Sequence, residues 1–181
     1  LTILLVSCCN LALSEEQLTL RNPYQLEHYV ESEHFAIFWG DGLAADSVKP
    51  MLDMLEHSWQ ILIVERQFER PTTTQEYKLN VYISGTGKVP YDDVKGGFAI
   101  LDNQGHEAFI INKDVVGDEE NLKIGLTHEF FHTVQSSYGL IRSDAMKKVG
   151  WLTEALANWA VPEVWENHFS LAQNGLAQYA F

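Results

Sequence analysis

Two histidines, His128 and His132 in the run His128-Glu129-Phe130-Phe131-His132, constrain the fold more than any other stretch of the chain. On a helix, residues four apart lie on one face about one turn from each other, so both imidazoles can reach a single ion. Glu129 then sits at the edge of that face. A catalytic zinc normally takes three protein ligands and keeps one position open, so a further donor must arrive from another element. Glu154, in the segment Trp151-Leu152-Thr153-Glu154-Ala155-Leu156-Ala157-Asn158, is the candidate. It lies 22 residues beyond His132, enough for the helix to finish, reverse and return. The reading depends on those two helices meeting.

The chemistry follows from the ion. Zinc needs donors converging at about 2.0–2.2 Å, and a helix supplies two such directions without relying on a flexible loop. Gly125, three residues before His128 on the same helical face, is expected to leave space for the metal. Asn158 is four residues after Glu154, so its side-chain oxygen can accept the remaining ring N–H of His128 or His132. In a His-Glu-x-x-His pattern the glutamate works on water at the metal. Glu129 is thus the expected general base, taking a proton from water and passing it to a leaving amine. The developing oxyanion needs another donor, and Tyr138, His168 and Tyr179 are open candidates. His34, His57 and His106 stand alone and read as surface or strand-end residues, whereas the five tryptophans read as core. The acid-rich run 114–120 reads as a helix start, since it lacks the spacing of a calcium loop.

Periodicity places these residues on elements. Residues 34–39 are aromatic and β-branched and close on Gly40-Asp41-Gly42, which predicts a strand and a turn. From about 44 to 68, Met51, Leu55, Trp59 and Leu62 recur at helical spacing, with Pro50 in the first turn. Residues 77–83 alternate as a second strand, and Gly97–Leu101 with Glu107–Asn112 predict a hairpin. A helix is expected from about 120 to 137, stopped by Gly139, and another from Gly150 to near Pro162 carrying Glu154. Strands first and helices after make an α+β fold.

Composition narrows the class. The 181 residues are 46% apolar, which suits one domain with a substantial core. A net charge of −13 and no cluster of Lys or Arg argue against a nucleic-acid partner, whose phosphates need neutralising. The start, Leu1-Thr-Ile-Leu-Leu-Val6, is an apolar run too short to span a bilayer and reads as part of a leader over residues 1–14. Ala12-Leu13-Ser14 suits an ordinary signal peptidase, whereas Leu5-Val6-Ser7-Cys8 resembles a lipobox that would leave Cys8 lipidated, the one membrane attachment expected. The protein is accordingly expected to be secreted or lipid-anchored at the cell surface. Cys8 and Cys9 are the sole cysteines, so neither a disulfide framework nor thiolate ligands are expected. Residues 15–33 read as a linker and 34–181 as the domain, with an apolar finish that reads as truncated at the C-terminus.

His128-Glu129-x-x-His132 with Trp151-Leu-x-Glu154-Ala-x-Ala-Asn158 resembles the gluzincins, zinc metallopeptidases with a downstream glutamate ligand. The resemblance implies a zincin-like fold: a small mixed sheet, a long helix, an active-site helix and a following glutamate-bearing helix. It also implies one catalytic Zn²⁺ on His128, His132 and Glu154, with Glu129 as general base and a polypeptide as substrate. Where such enzymes usually carry Asp, this chain has Asn158. The first hairpin strand would be the cleft edge that pairs with extended substrate, a role falling on Gly97, Phe98, Ala99 and Ile100. The segment Ser32-Glu33-His34-Phe35 is similar to uncharacterised secreted families with the same histidine motif. A secreted zinc metalloendopeptidase is the leading expectation. Competing with it are a zinc domain with other or no activity, and an extracellular carbohydrate- or protein-binding module.

Overall fold

Three segments, Phe35–Trp39, Leu79–Ser84 and Glu107–Asn112, are buried along their whole length, the pattern of strands covered on both faces. In the computed structural model, which describes residues 18–139 and 146–166, they are the inner strands β2, β3 and β5 of a five-stranded sheet. The outer strands are β1 (His28–Glu31) and β4 (Gly97–Leu101), and the order is β1-β2-β3-β5-β4. β2, β3 and β5 run parallel, and each outer strand pairs antiparallel with its neighbour. The protein is therefore a mixed α+β fold.

A parallel step needs a crossover, and α1 (Ala45–Trp59) makes the one between β2 and β3. Its apolar residues Val48, Met51, Leu55 and Trp59 enter the main core with Phe35, Ile37, Val81, Phe109 and Phe130. Pro50 lies in the second turn rather than the first, so the helix forgoes one hydrogen bond there. The expected continuation to residue 68 stops at Glu65, through a π-helical stretch Gln60–Glu65 in which Arg66 N–H reaches back to Ile61 O at 2.8 Å. α2 (Glu119–Ser137) begins at Asp118, which caps Asn121 N–H at 3.2 Å, and ends before Gly139, whose φ of +72° suits glycine. α3 (Met146–Val164) packs along α2 through Ala157, Ala160 and Val164, starting one turn earlier than Gly150 and running past Pro162.

The stretch expected as a linker, 15–33, departs from that reading over its described part. It supplies β1, and Leu26, with Leu20 and Tyr24 beside it, covers the sheet face opposite the helices, over Ala36, Phe38, Tyr82 and Ile110. Arg21 forms a buried ion pair with Asp102 in the hairpin turn at 2.7 Å. Its polar composition reflects an edge position: β1 is mostly exposed, so little apolar alternation marks it. The tryptophans also divide. Trp39 and Trp59 are core, but Trp151 is 67% and Trp159 39% exposed. The leader residues 1–14 with Cys8, the candidates His168 and Tyr179, and the C-terminal end lie outside the described residues.

A candidate metal centre between two helices

α2 presents one flank to the sheet and another to α3. Leu122, Leu126, Phe130 and Val134 fill the core, which turns His128 and His132 toward α3. α3 returns antiparallel-fashion in sequence and brings Glu154 and Asn158, one turn apart, against them. His128 Nε2 lies 3.0 Å from His132 Nε2 and 3.1 Å from Glu154 Oε2, and His132 Nε2 lies 3.4 Å from Glu154 Oε1. Two ligand atoms about 2.0–2.1 Å from a tetrahedral zinc are separated by about 3.3 Å, so the three side chains already stand at ligand spacing. They are the group among the described residues whose donor atoms lie within 4.8 Å of one another and could hold a metal.

The far side of each ring strengthens that fit. His128 Nδ1 is 3.1 Å from Asn158 Oδ1, and His132 Nδ1 is 2.8 Å from Gln135 Oε1. Amide oxygens accept, so with the two amides in these orientations each Nδ1 carries a hydrogen, and a neutral ring then presents a lone pair at Nε2. Two lone pairs and a carboxylate converging at this range repel one another unless a cation lies between them. A proton can join only one pair of these atoms; a divalent ion satisfies all three. Hydrogen bonding with His128 and His132 holds the Glu154 carboxyl far below the usual carboxylate range. Burial pulls the His132 ring down, but Glu154, Glu129 and Gln135 together outweigh it and the ring is raised.

Glu129 has a different environment. It is 6% exposed, its Oε2 has no hydrogen-bond partner among the described residues, and burial pushes its carboxyl up to about 7 against the pull of His128 and His132. The carboxylate lies against β4, in space available only because residue 97 is glycine. A Cβ there would come within 2.8 Å of Glu129 Cγ and Oε1.

The strand expected to hold substrate is resolved residue by residue. Asn112 N–H bonds to Gly96 O at 3.0 Å and Asp102 N–H to His106 O at 2.9 Å, so even-numbered residues of β4 spend their backbone groups on β5. Gly97, Ala99 and Leu101 therefore turn theirs to the outer edge, where the Ala99 N–H meets the Glu129 carboxylate. Phe98 and Ile100, expected among the substrate-binding residues, put their side chains on the opposite sheet face instead, because side chains alternate along a strand. Beyond Glu129, a cavity of about 70 Å³ lies between β4 and α2, lined by Ala99, Ile100, Leu101, Glu107, Thr133 and Ser136.

Other expectations shift. Gly125 does not clear room for an ion; its open side faces Ile111 of β5, 3.5 Å from where a Cβ would be, so it serves close helix–sheet contact. Tyr138 stands past the end of α2, where its hydroxyl accepts Glu69 N–H at 2.9 Å. His34 stacks on Trp59 and bonds Glu56 at 2.7 Å, and His57 meets Val164 O at 3.2 Å. Gln135 was not marked by the sequence; its one signal is a position three residues after a motif histidine, where helix geometry brings side chains together.

No curated protein and no solved structure matches the chain. A family model does, over residues 11–180, which include every residue of the candidate centre. The chain belongs to the family of unknown function DUF6055.

Proposed function

We propose that this protein is a zinc-dependent hydrolase of zincin-like architecture, a metalloendopeptidase, with one Zn²⁺ held by His128, His132 and Glu154. The observation that carries the reading is the convergence of three metal-ligating groups at tetrahedral spacing beside a buried carboxylate with an unpartnered oxygen. Zinc held there would acidify a water molecule and polarise a substrate carbonyl. The protein supplies the rest. Glu129 Oε2, uncommitted to any hydrogen bond among the described residues, takes the proton from water and returns it to the leaving amine nitrogen. Asn158 and Gln135 hold the two rings so that Nε2 faces the ion. The outward backbone groups of Gly97 and Leu101 and the Ala99 carbonyl pair with an extended polypeptide, presenting its scissile bond beside Glu129, which holds the Ala99 N–H.

The apolar leader supports a secreted protein or one anchored through a lipid on Cys8. No helix among the described residues is long and apolar enough to cross a membrane. Elemental analysis of protein purified without chelator tests the metal: one zinc per chain is expected, and its absence overturns the reading. Glu154→Ala should release that zinc, and retention would place the third ligand elsewhere. Mass-spectrometric profiling of a peptide library tests the reaction, with internal cleavage lost on chelation and restored by zinc as the expected result.

A further inference from the structure

We infer that Gln135 is a positioning residue that makes the tautomer of His132 depend on the docking of α3, an inference that rests on the metal-centre reading above. Gln135 is 2% exposed and spans the two helices. Its Oε1 lies 2.8 Å from His132 Nδ1, and its Nε2 donates to the carbonyl of Thr153 at 2.9 Å. A carboxamide has one accepting and one donating end. The Thr153 carbonyl can only accept, so it dictates which end of Gln135 is left for the histidine. His132 must then donate from Nδ1, which leaves Nε2 bare and aimed at Glu154.

The residue that orients Gln135 immediately precedes the residue that completes the ligand set. One short stretch, Thr153-Glu154, therefore delivers both the third ligand and the instruction that sets the second histidine. With α3 undocked, the amide of Gln135 is free to turn and either ring nitrogen of His132 can carry the proton. His128 lacks this relay. Its partner Asn158 has a buried Nδ2 with no hydrogen-bond partner among the described residues, so nothing comparable dictates the orientation of that amide. Beyond the delivery of Glu154 itself, the coupling between helix docking and histidine tautomer runs through His132.

The test uses the full chain with Gln135→Met, which keeps length but neither accepts nor donates as an amide does, and Gln135→Glu, which keeps the accepting oxygen. Zinc affinity is read by chelator competition and fold stability by melting of the zinc-free protein. The Met variant should lose about 10–100-fold in zinc affinity, the usual cost of removing such a partner, and the Glu variant should recover most of it. A merely structural role would lower both melting temperatures and leave the zinc affinity of the Met variant unchanged, and that outcome overturns the proposal. ¹⁵N NMR of the unsubstituted, zinc-free chain, at a pH where the rings are neutral, decides it independently of whether the variants fold. His132 should carry its hydrogen on Nδ1, and an Nε2–H tautomer overturns the assignment. If the unsubstituted chain takes up no zinc, the metal-centre reading fails by itself, while the tautomer spectrum still tests what Gln135 does.

Discussion

Glu129 and Glu107 are both buried between α2 and the β4–β5 hairpin, at 6% and 3% exposure, yet the protein treats them in opposite ways. Burial pushes both carboxyls up. For Glu107, hydrogen bonds from the Thr73 hydroxyl and backbone N–H and from the Ser136 hydroxyl outweigh it and hold the group below its ordinary value. For Glu129 nothing of that strength is supplied, and the carboxyl rises to about 7 with one oxygen unpartnered. The difference separates a carboxylate that ties elements together from one left able to exchange a proton. Glu107 joins the hairpin to the segment 72–75 and to α2. Glu129 has a hydrogen bond from the Ala99 backbone and the room left by the missing side chain at Gly97.

The sharpest way to break this contrast is Glu129→Gln. Turnover should fall by about 10²–10⁴-fold, the usual contribution of general acid–base catalysis, with zinc content unchanged. An unchanged rate would remove Glu129 from the chemistry. Gly97→Ala probes placement alone: the new Cβ contacts Glu129 Cγ and Oε1 at 2.8 Å, and a misplaced base costs up to about 10²-fold in rate. Full activity with an intact fold would mean that the position of Glu129 against β4 is dispensable. Glu107→Gln should do the reverse, lowering stability to urea by about 2 kcal/mol through its lost charge-assisted hydrogen bonds while leaving the kcat/KM of folded protein unchanged.

The smallest effect is a pH dependence. Because the folded carboxyl of Glu107 lies below its ordinary value of 4.5, the unfolded chain binds its proton more readily. Its stabilising contribution is complete above that unfolded value and is lost as pH falls through the lowered folded one. The stability gap between the natural protein and Glu107→Gln should therefore narrow below about pH 4.5, as measured by urea unfolding at a series of pH values. A gap that stays constant from pH 7 to 3 would show that the charge of Glu107 is not what ties the hairpin to α2.

Much of the candidate site was legible because its residues obey helical spacing. His128, Glu129 and His132 share one helix, Glu154 and Asn158 another, and the structure joins His128, His132 and Glu154 to one another, with Asn158 on His128. The hairpin strands Gly97–Leu101 and Glu107–Asn112 fall where the two apolar runs flanking residues 102–106 placed them. Other features left weaker marks. β1 is a short, exposed edge strand with few apolar residues to reveal it. The apolar run 97–101 announces a strand but not which parity faces the helices, and that parity puts Phe98 and Ile100 on the wrong side for the site. Exposure of Trp151 and Trp159 contradicts the general preference of tryptophan for the interior, a preference that composition alone cannot qualify.

What the amino-acid order determined by itself is the candidate ligand set and the two helices that carry it, because a repeat of three or four residues is written along one dimension and needs no knowledge of the rest. Only the tertiary structure decided how those groups are tuned. The raised carboxyl of Glu129 follows from its burial, and its place against β4 from a glycine 32 positions earlier, while the orientation of Gln135 beside His132 depends on a carbonyl 18 positions further on. Such pairs share no periodicity. They meet because the sheet edge and two helices close on one point, where a hydrogen bond made or withheld sets what each group can do.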